Sequence, residues 1–183
     1  MRNLIKKFKI MRSKPDASAI YEVIVRQSRE AQFYTKCGVP DTPTGRFELI
    51  SLHSFFFMKR LKVLGGEAEQ FSQALFDHMF ADIDINLREM GLGDIGVGKK
   101  IKSLAAAYYG RIKSYETALK EGDIAIKQSL TRNLYCDGKP TERQLSAMTK
   151  YLLALYEVTN NLNFRQISSI DFVFPFPLEE WSG

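Results

Sequence analysis

The segment from about Thr44 to Leu64 constrains the fold of this chain more than any other segment. Its apolar residues recur at helical spacing, and they cover most of the helix circumference rather than one side. A helix that is apolar nearly all round is usually buried among other helices. The segment therefore predicts a central helix, and the pair Gly65-Gly66 marks its end.

Other segments show the same spacing of three to four residues between apolar side chains, and none alternates long enough to predict a strand. The predicted helices span about Ala17–Tyr34, Glu67–Met90, Val97–Lys120, Ile124–Leu134 and Thr141–Asn161, with one further turn at about Asn163–Ser168. The chain is thus predicted to be all-α. We expect a single-domain irregular helical bundle of about six helices, followed by an aromatic, proline-broken C-terminal tail.

The composition excludes several classes of protein. Hydrophobic residues make up 45% and charged residues 26% of the 183 residues, which is typical of a soluble globular domain. Cys37 and Cys136, the two cysteines, build neither a disulfide framework nor a zinc ligand set, so a reducing compartment is expected. No apolar run approaches the roughly 18 residues that predict a membrane span.

The first 14 residues form a basic arm with no acidic residue. The net charge of the chain is +5, and it becomes −1 without the six basic residues of the arm. We expect residues 1–14 to be a basic amphipathic arm and residues 15–183 to be the helical domain. Such an arm binds an anionic membrane surface or RNA, or it is a disordered tail. The arm residues assigned to membrane or RNA contact are Lys6, Lys7, Phe8, Lys9 and Arg12.

A glycine-rich segment, Gly91–Lys100, resembles a phosphate-binding loop in the spacing of its glycine and lysine residues but not in its surroundings. A phosphate-binding loop follows a buried strand, whereas the segment before Gly91 is predicted to be helical. Lys100 stands where the loop needs a serine or threonine, and Asp94 places a negative charge beside the phosphate position. We therefore predict a joint between two helices, with Gly91 in the left-handed conformation and Asp94 as a cap.

Catalytic and metal-binding patterns are weak in this sequence. His53 and His78 are the only histidines, and His78 with Asp82 has the spacing of a metal-ligand pair on a helix. No second ligand pair, nucleophile elbow or acid–base set accompanies it. The sequence therefore predicts no metal site, no cofactor and no enzymatic activity.

The predicted helix over Val97–Lys120 carries two unusual stripes beside its apolar face. One is basic with a central aromatic residue and consists of Lys99, Lys102, Ala106, Tyr109 and Lys113. The other holds small residues that allow close approach of a second helix and consists of Lys100, Ser103, Ala107, Gly110 and Ser114. Two interpretations remain open: a solvated face above a packed stripe, or a dock for a partner helix or an anionic surface.

Aromatic residues predict a second contact surface. Phe55, Phe56 and Phe57 cannot all point in one direction on a helix, so we expect at least one to pack against something other than the main core, with a groove as one candidate. Four aromatic residues of the tail are expected to cover or extend such a groove: Phe172, Phe174, Phe176 and Trp181.

Several motifs resemble the ubiquinol–cytochrome c chaperone family. They are the turn and helix start Gly38–Leu49, the pair Leu52-His53, the block Leu87–Asp94, the triplet Tyr109-Gly110-Arg111, and Tyr115. The resemblance covers about Tyr34 to Tyr135, which is more than half of the chain.

Membership of this family implies a non-enzymatic chaperone that binds newly synthesised cytochrome b and assists assembly of respiratory complex III. It further implies a small partner protein, the ribosome or an anionic membrane surface as partners, and no DNA. The chain begins close to the matching block, so we expect a bacterial-type member in the cytoplasm, peripheral to the inner membrane. The matrix side of the mitochondrial inner membrane is the alternative, and a membrane- or RNA-binding scaffold acting through the arm is the alternative function.

A chaperone of this kind needs an apolar groove with adaptable side chains rather than catalytic groups. We expect the client to contact Phe55, Phe56, Met58, Lys99, Lys102, Tyr109, Lys113 and the tail aromatics. A second set is expected to cap helices or form buried ion pairs that hold the loops: Asp41, Arg46, Arg88, Asp94 and Arg111.

Overall fold

The computed structural model describes residues 16–175, which form eight helices and no strands. In chain order the helices are α1 (Ala17–Ser28), α2 (Ala31–Thr35), α3 (Pro43–Leu64), α4 (Glu67–Glu89), α5 (Asp94–Glu121), α6 (Asp123–Asn133), α7 (Glu142–Asn161) and α8 (Phe164–Ser168). Six of them have 11 or more residues, while α2 and α8 have five each. The predicted all-α fold is confirmed.

Helix α3 is the central helix, and it contacts α1, α4, α7 and α8. The Thr42 hydroxyl accepts a hydrogen bond from the Gly45 amide at 3.1 Å, and Pro43 occupies the first turn, so the helix start is well defined. All eight residues from Ser51 to Met58 are buried. The helix therefore has two core faces instead of one, as its all-round apolar pattern predicted.

The two core faces of α3 belong to two hydrophobic clusters. Phe55 and Phe56 pack with residues of α5, α6 and α7, whereas Phe57 and Met58 pack with residues of α1 and α4. The expectation that at least one phenylalanine packs outside a single core is confirmed, because Phe57 belongs to a different cluster from Phe55 and Phe56. None of the three faces a groove, because other helices cover both sides of α3.

The first helix is shorter than expected. A single helix over Ala17–Tyr34 was predicted, but α1 ends at Ser28 and α2 begins at Ala31. The break lets Phe33 point into the core, where its ring lies 4.9 Å from the Tyr151 ring. The Tyr34 hydroxyl then donates to the Ser28 carbonyl at 2.9 Å, which satisfies an acceptor at the broken end.

The glycine-rich segment is the joint between α4 and α5, with helix on both sides and no strand before it. Gly91 has φ of 87°, the left-handed conformation expected after a helix end. The expected capping role of Asp94 is wrong: Gly93 is the N-cap residue, and no side chain caps it. Asp94 lies inside the first turn of α5 and accepts a hydrogen bond from Arg88.

The described C-terminal segment folds back onto the body. The Phe172 ring lies 5.0 Å from the Phe57 ring, and the Phe174 ring lies 5.8 Å from the His53 ring. The predictions for the arm at residues 1–14, and for Phe176 and Trp181, fall outside the described residues. Within residues 16–175, no helix has both the length and the apolar character needed to cross a membrane.

Candidate functional site

The outward face of α5 carries the predicted basic stripe. Lys99, Lys102 and Lys113 are exposed, and the side chain of Tyr109 between them is 59% exposed. The Tyr109 ring lies 5.9 Å from the ring of Phe76 on α4, which orients it along the seam between the two helices. The structure therefore brings these four predicted residues together on one accessible surface.

A groove runs between α5 and α6 beside this stripe. Small residues of α5 form its floor, and the lining includes Ala107, Gly110, Ser114, Thr117 and Ala118. The groove has a volume of about 520 Å³, and Lys113 lies on its edge. Because small residues let a second helix approach closely, this arrangement can hold apolar side chains of a partner helix.

The α6 side of the groove is polar and ordered by hydrogen bonds. The Ser114 and Ser129 hydroxyls lie 2.7 Å apart, and the Arg132 guanidinium donates to the Ser114 hydroxyl at 3.1 Å. Asn133 donates to both hydroxyls. The groove thus combines small residues of α5 with polar and charged side chains from both helices, among them Arg111, Ser114 and Arg132.

Helix α5 is anchored to the central helix by an ion pair between Arg111 and Glu48. Two guanidinium nitrogens of Arg111 donate to the two carboxylate oxygens of Glu48, whose side chain is only 1% exposed. Burial raises the pKa of the Glu48 carboxyl, and the Arg111 guanidinium opposes that rise. The pair fixes the position and rotation of α5, and Arg111 also lines the groove.

Tyr108 fixes the same helix one residue before the exposed Tyr109. Its ring is buried, and its hydroxyl donates to the sulfur of Met58 at 3.0 Å. Adjacent tyrosines therefore have opposite roles, since Tyr108 packs into the body and Tyr109 faces solvent.

Three residues assigned to client contact lie in the core instead. Phe55, Phe56 and Met58 are buried among other helices. A client would reach them only if the core opened, so we remove them from the candidate surface. The described tail aromatics Phe172 and Phe174 are half-buried against this core.

The residues assigned to caps and ion pairs fall in different environments. Arg46 donates to Asp41 at 2.7 Å with both side chains exposed. Arg88 donates to Asp84 at 2.6 Å and also to Asp94, again at the surface. Of the predicted set, Arg111 alone makes a pair with a buried partner.

His53 is part of a buried hydrogen-bond network. Its Nδ1 lies 2.7 Å from the Leu49 carbonyl oxygen, which only accepts, so Nδ1 carries the proton. Its Nε2 therefore accepts from the Tyr151 hydroxyl at 2.7 Å, and Tyr151 in turn accepts from Gln27 at 3.3 Å. Burial lowers the pKa of His53 to about 4. His53 is therefore neutral and joins α1, α3 and α7.

The other candidate chemical groups are dispersed. His78 is exposed, whereas Asp82 accepts a hydrogen bond from the Tyr21 hydroxyl at 2.8 Å. In the part of the chain that the structure describes, no three His, Cys, Asp or Glu side chains cluster to hold a metal. Burial raises the pKa of the Cys37 thiol to about 11, and Cys136 is exposed in a turn.

Two features that shape the candidate surface have no local signal in the sequence. Glu48 lies 63 residues from its partner Arg111, and no local pattern links them. Arg132 and Asn133 reach the groove because α6 folds back along α5. The small-residue stripe was the one signal that marked the groove.

Comparison with protein families and known structures gives consistent matches. A family model described as ubiquinol-cytochrome C chaperone matches residues 35–174. The crystal structure of the Cbp3 homolog from Brucella abortus is similar with a TM-score of 0.77 and 34% sequence identity, over 87% of this chain and 88% of that one.

Vertebrate proteins named ubiquinol-cytochrome c reductase complex assembly factor 1 are also similar. The Xenopus laevis protein is 23% identical over 136 residues, which are 74% of this chain and 68% of the frog protein. The human protein is 20% identical over 147 residues, covering 80% of this chain. The match spans about half the length of the mouse and human relatives, at 50% and 49%.

Proposed function

The chain belongs to the ubiquinol–cytochrome C chaperone family, and on this premise we propose that it binds newly synthesised cytochrome b. In this proposal it is a non-enzymatic chaperone that assists assembly of the ubiquinol–cytochrome c reductase complex. In this proposal the protein is bacterial, which the 34% identity to the Brucella relative supports, and it acts in the cytoplasm at the periphery of the inner membrane. The matrix side of the mitochondrial inner membrane is the alternative location.

The observation that carries the proposal is the groove between α5 and α6 with the exposed Tyr109 stripe beside it. A client made of membrane helices exposes apolar faces before it assembles, and a groove floored by Ala107, Gly110 and Ala118 allows such a helix to lie close. Tyr109 adds an exposed ring that packs on an apolar side chain while its hydroxyl stays hydrated.

The lysines of the stripe set the orientation of the client in this proposal. Lys99, Lys102 and Lys113 lie on the same side of α5 as Tyr109. Their long side chains keep the empty surface hydrated and attract acidic groups at the ends of client helices. In this proposal the groove provides the binding affinity, and the lysine charges set the orientation of the bound client.

Site-specific photocrosslinking tests the proposal in cells that synthesise cytochrome b. The probe replaces Tyr109 on the basic stripe or Thr117 in the groove, and a matched probe replaces Leu153, which is exposed on α7. We expect a cytochrome b adduct from the stripe and groove positions and none from Leu153. Adducts of equal yield at all three positions, or none at Tyr109 and Thr117, would contradict the assigned surface.

A second function is favoured by the basic arm. The six basic residues in residues 1–14 suit a scaffold that binds an anionic membrane or ribosomal RNA. Deleting residues 1–14 should then abolish cosedimentation with ribosomes or anionic liposomes and leave cytochrome b crosslinking at Tyr109 unchanged. Loss of both would show that the arm serves the client site, and the small partner protein and the ribosome would then be tested as partners of the arm.

A further inference from the structure

The outer end of the α4–α5 hairpin has the features of a lipid-binding surface. We propose that this end docks on the surface of an anionic phospholipid bilayer, with Met90 and Ile95 inserted among the lipids. This surface lies apart from the groove, because Ala107, the first α5 residue of the groove lining, is 12 residues along the helix from Ile95, roughly 18 Å at the rise of an α-helix. It shares Lys99 and Lys102 with the basic stripe.

The two apolar side chains at the hairpin end lack cover from the described residues. Met90 in the turn is 64% exposed, and Ile95 in the first turn of α5 is 78% exposed. Among residues 90–107 of the described chain, Val97 alone is buried. A Cβ built on Gly91 or Gly93 has no neighbour within 4 Å, so the surroundings of the turn are open.

The charge next to this end suits anionic headgroups. Lys99, Lys100 and Lys102 are exposed, and no acidic residue occurs between positions 95 and 115. Ile95, Lys99 and Lys102 are spaced by four and three residues, so they share one side of α5. Lysines placed behind an inserted apolar residue reach the headgroups with their ammonium groups.

Acidic residues at the hairpin end are partly neutralised by their neighbours. Arg88 bridges Asp84 and Asp94 across the joint, which leaves Glu89 as the one acidic side chain of positions 84–95 without an ion pair in the structure. An RNA partner would call for aromatic rings that stack on bases, and this end carries none between positions 84 and 107. Apolar tips backed by lysines therefore favour a bilayer.

An environment-sensitive fluorophore at position 95 tests insertion in the full-length chain. Ile95→Cys is labelled in a Cys136→Ser background, since Cys37 is buried. The matched control is Ile124→Cys, which is 76% exposed just beyond the other end of α5. With vesicles of phosphatidylcholine and phosphatidylglycerol, we expect a blue shift at position 95, no shift at position 124, and no shift at either with phosphatidylcholine alone.

Binding through the basic arm alone would not produce a blue shift at position 95, because it would leave that position in water. A bound protein whose fluorescence is unchanged at position 95, or shifted equally at position 124, would overturn the proposal. A shift at position 95 with RNA but not with vesicles would also overturn it and identify RNA as the occupant.

Partitioning of unlabelled variants gives a second, independent measurement. The double variant Met90→Ser with Ile95→Ser should lower vesicle binding by about tenfold, while Ile124→Ser leaves it unchanged. Each charge reversal at Lys99 or Lys102 should lower it by at least about fivefold, with a weaker effect at high salt. Thermal melts should be unchanged, and unaltered binding of the double serine variant would contradict insertion.

Discussion

Two regions of the molecule differ in whether other helices cover their apolar residues. Around α3, every residue from Ser51 to Met58 is buried, including its polar members. At the outer end of the α4–α5 hairpin, the apolar side chains of Met90 and Ile95 face solvent. Apolar content alone therefore does not distinguish a core from a contact surface, and what distinguishes them is whether another helix covers the residues.

Among the variants that test this comparison, Phe56→Ala should cause the largest loss of stability. Removing a fully buried ring leaves a cavity in the cluster around α3, and we expect a loss of about 4 kcal/mol in the free energy of unfolding. The matched change Tyr109→Ala should cost less than about 0.5 kcal/mol. Urea unfolding of both variants measures the difference, and equal losses would show that Tyr109 belongs to the core.

Arg111→Ala should have the next largest effect. It leaves the Glu48 carboxylate buried without its partner, which we expect to cost about 3 kcal/mol and to loosen α5 from α3. The exposed pair provides the control, because Arg46→Ala should cost less than about 1 kcal/mol. If the two variants lose similar stability, the Glu48–Arg111 pair does not anchor α5.

His53 should make stability depend on pH. Its pKa in the folded state is about 4, below the unfolded value of 6.5, so the unfolded chain binds the additional proton. Stability from this residue is therefore fully present above pH of about 6.5 and is lost as the pH falls toward 4. Between pH of about 7.5 and about 5, wild type should lose about 2 kcal/mol more than His53→Gln.

Urea titrations at several pH values measure this difference, and other titrating groups cancel because both proteins carry them. A wild-type profile parallel to that of His53→Gln would mean that burial does not suppress protonation of His53.

Charge reversal on the basic stripe should have the smallest effect on stability. The double charge reversal Lys102→Glu with Lys113→Glu should change the free energy of unfolding by less than about 0.5 kcal/mol, because both side chains are exposed. In our proposal it nevertheless weakens client crosslinking from Tyr109 severalfold. The same crosslinking assay checks this, with Lys120→Glu at the far end of α5 as the control. Unchanged crosslinking would remove the lysines from the client site.

Local patterns predicted the helices well, because helix formation depends on residues three or four positions apart. The capping box at Thr141 and Gln144 and the left-handed Gly91 are visible in a few letters of sequence. The break after Ser28 had no such signal, since neither glycine nor proline occurs there. It exists because Phe33 packs on Tyr151, which is 118 positions away.

The sequence by itself determined the all-α architecture, the central position of α3 and the stripes along α5, because each follows from periodicity within one helix. Only the tertiary structure decided which faces are covered. Phe56 and Tyr109 are both aromatic residues on helices, yet neighbouring helices bury one and leave the other exposed. Long-range partners such as Glu48 with Arg111 and His53 with Tyr151 meet only after folding, since separations of 63 and 98 residues leave no local pattern.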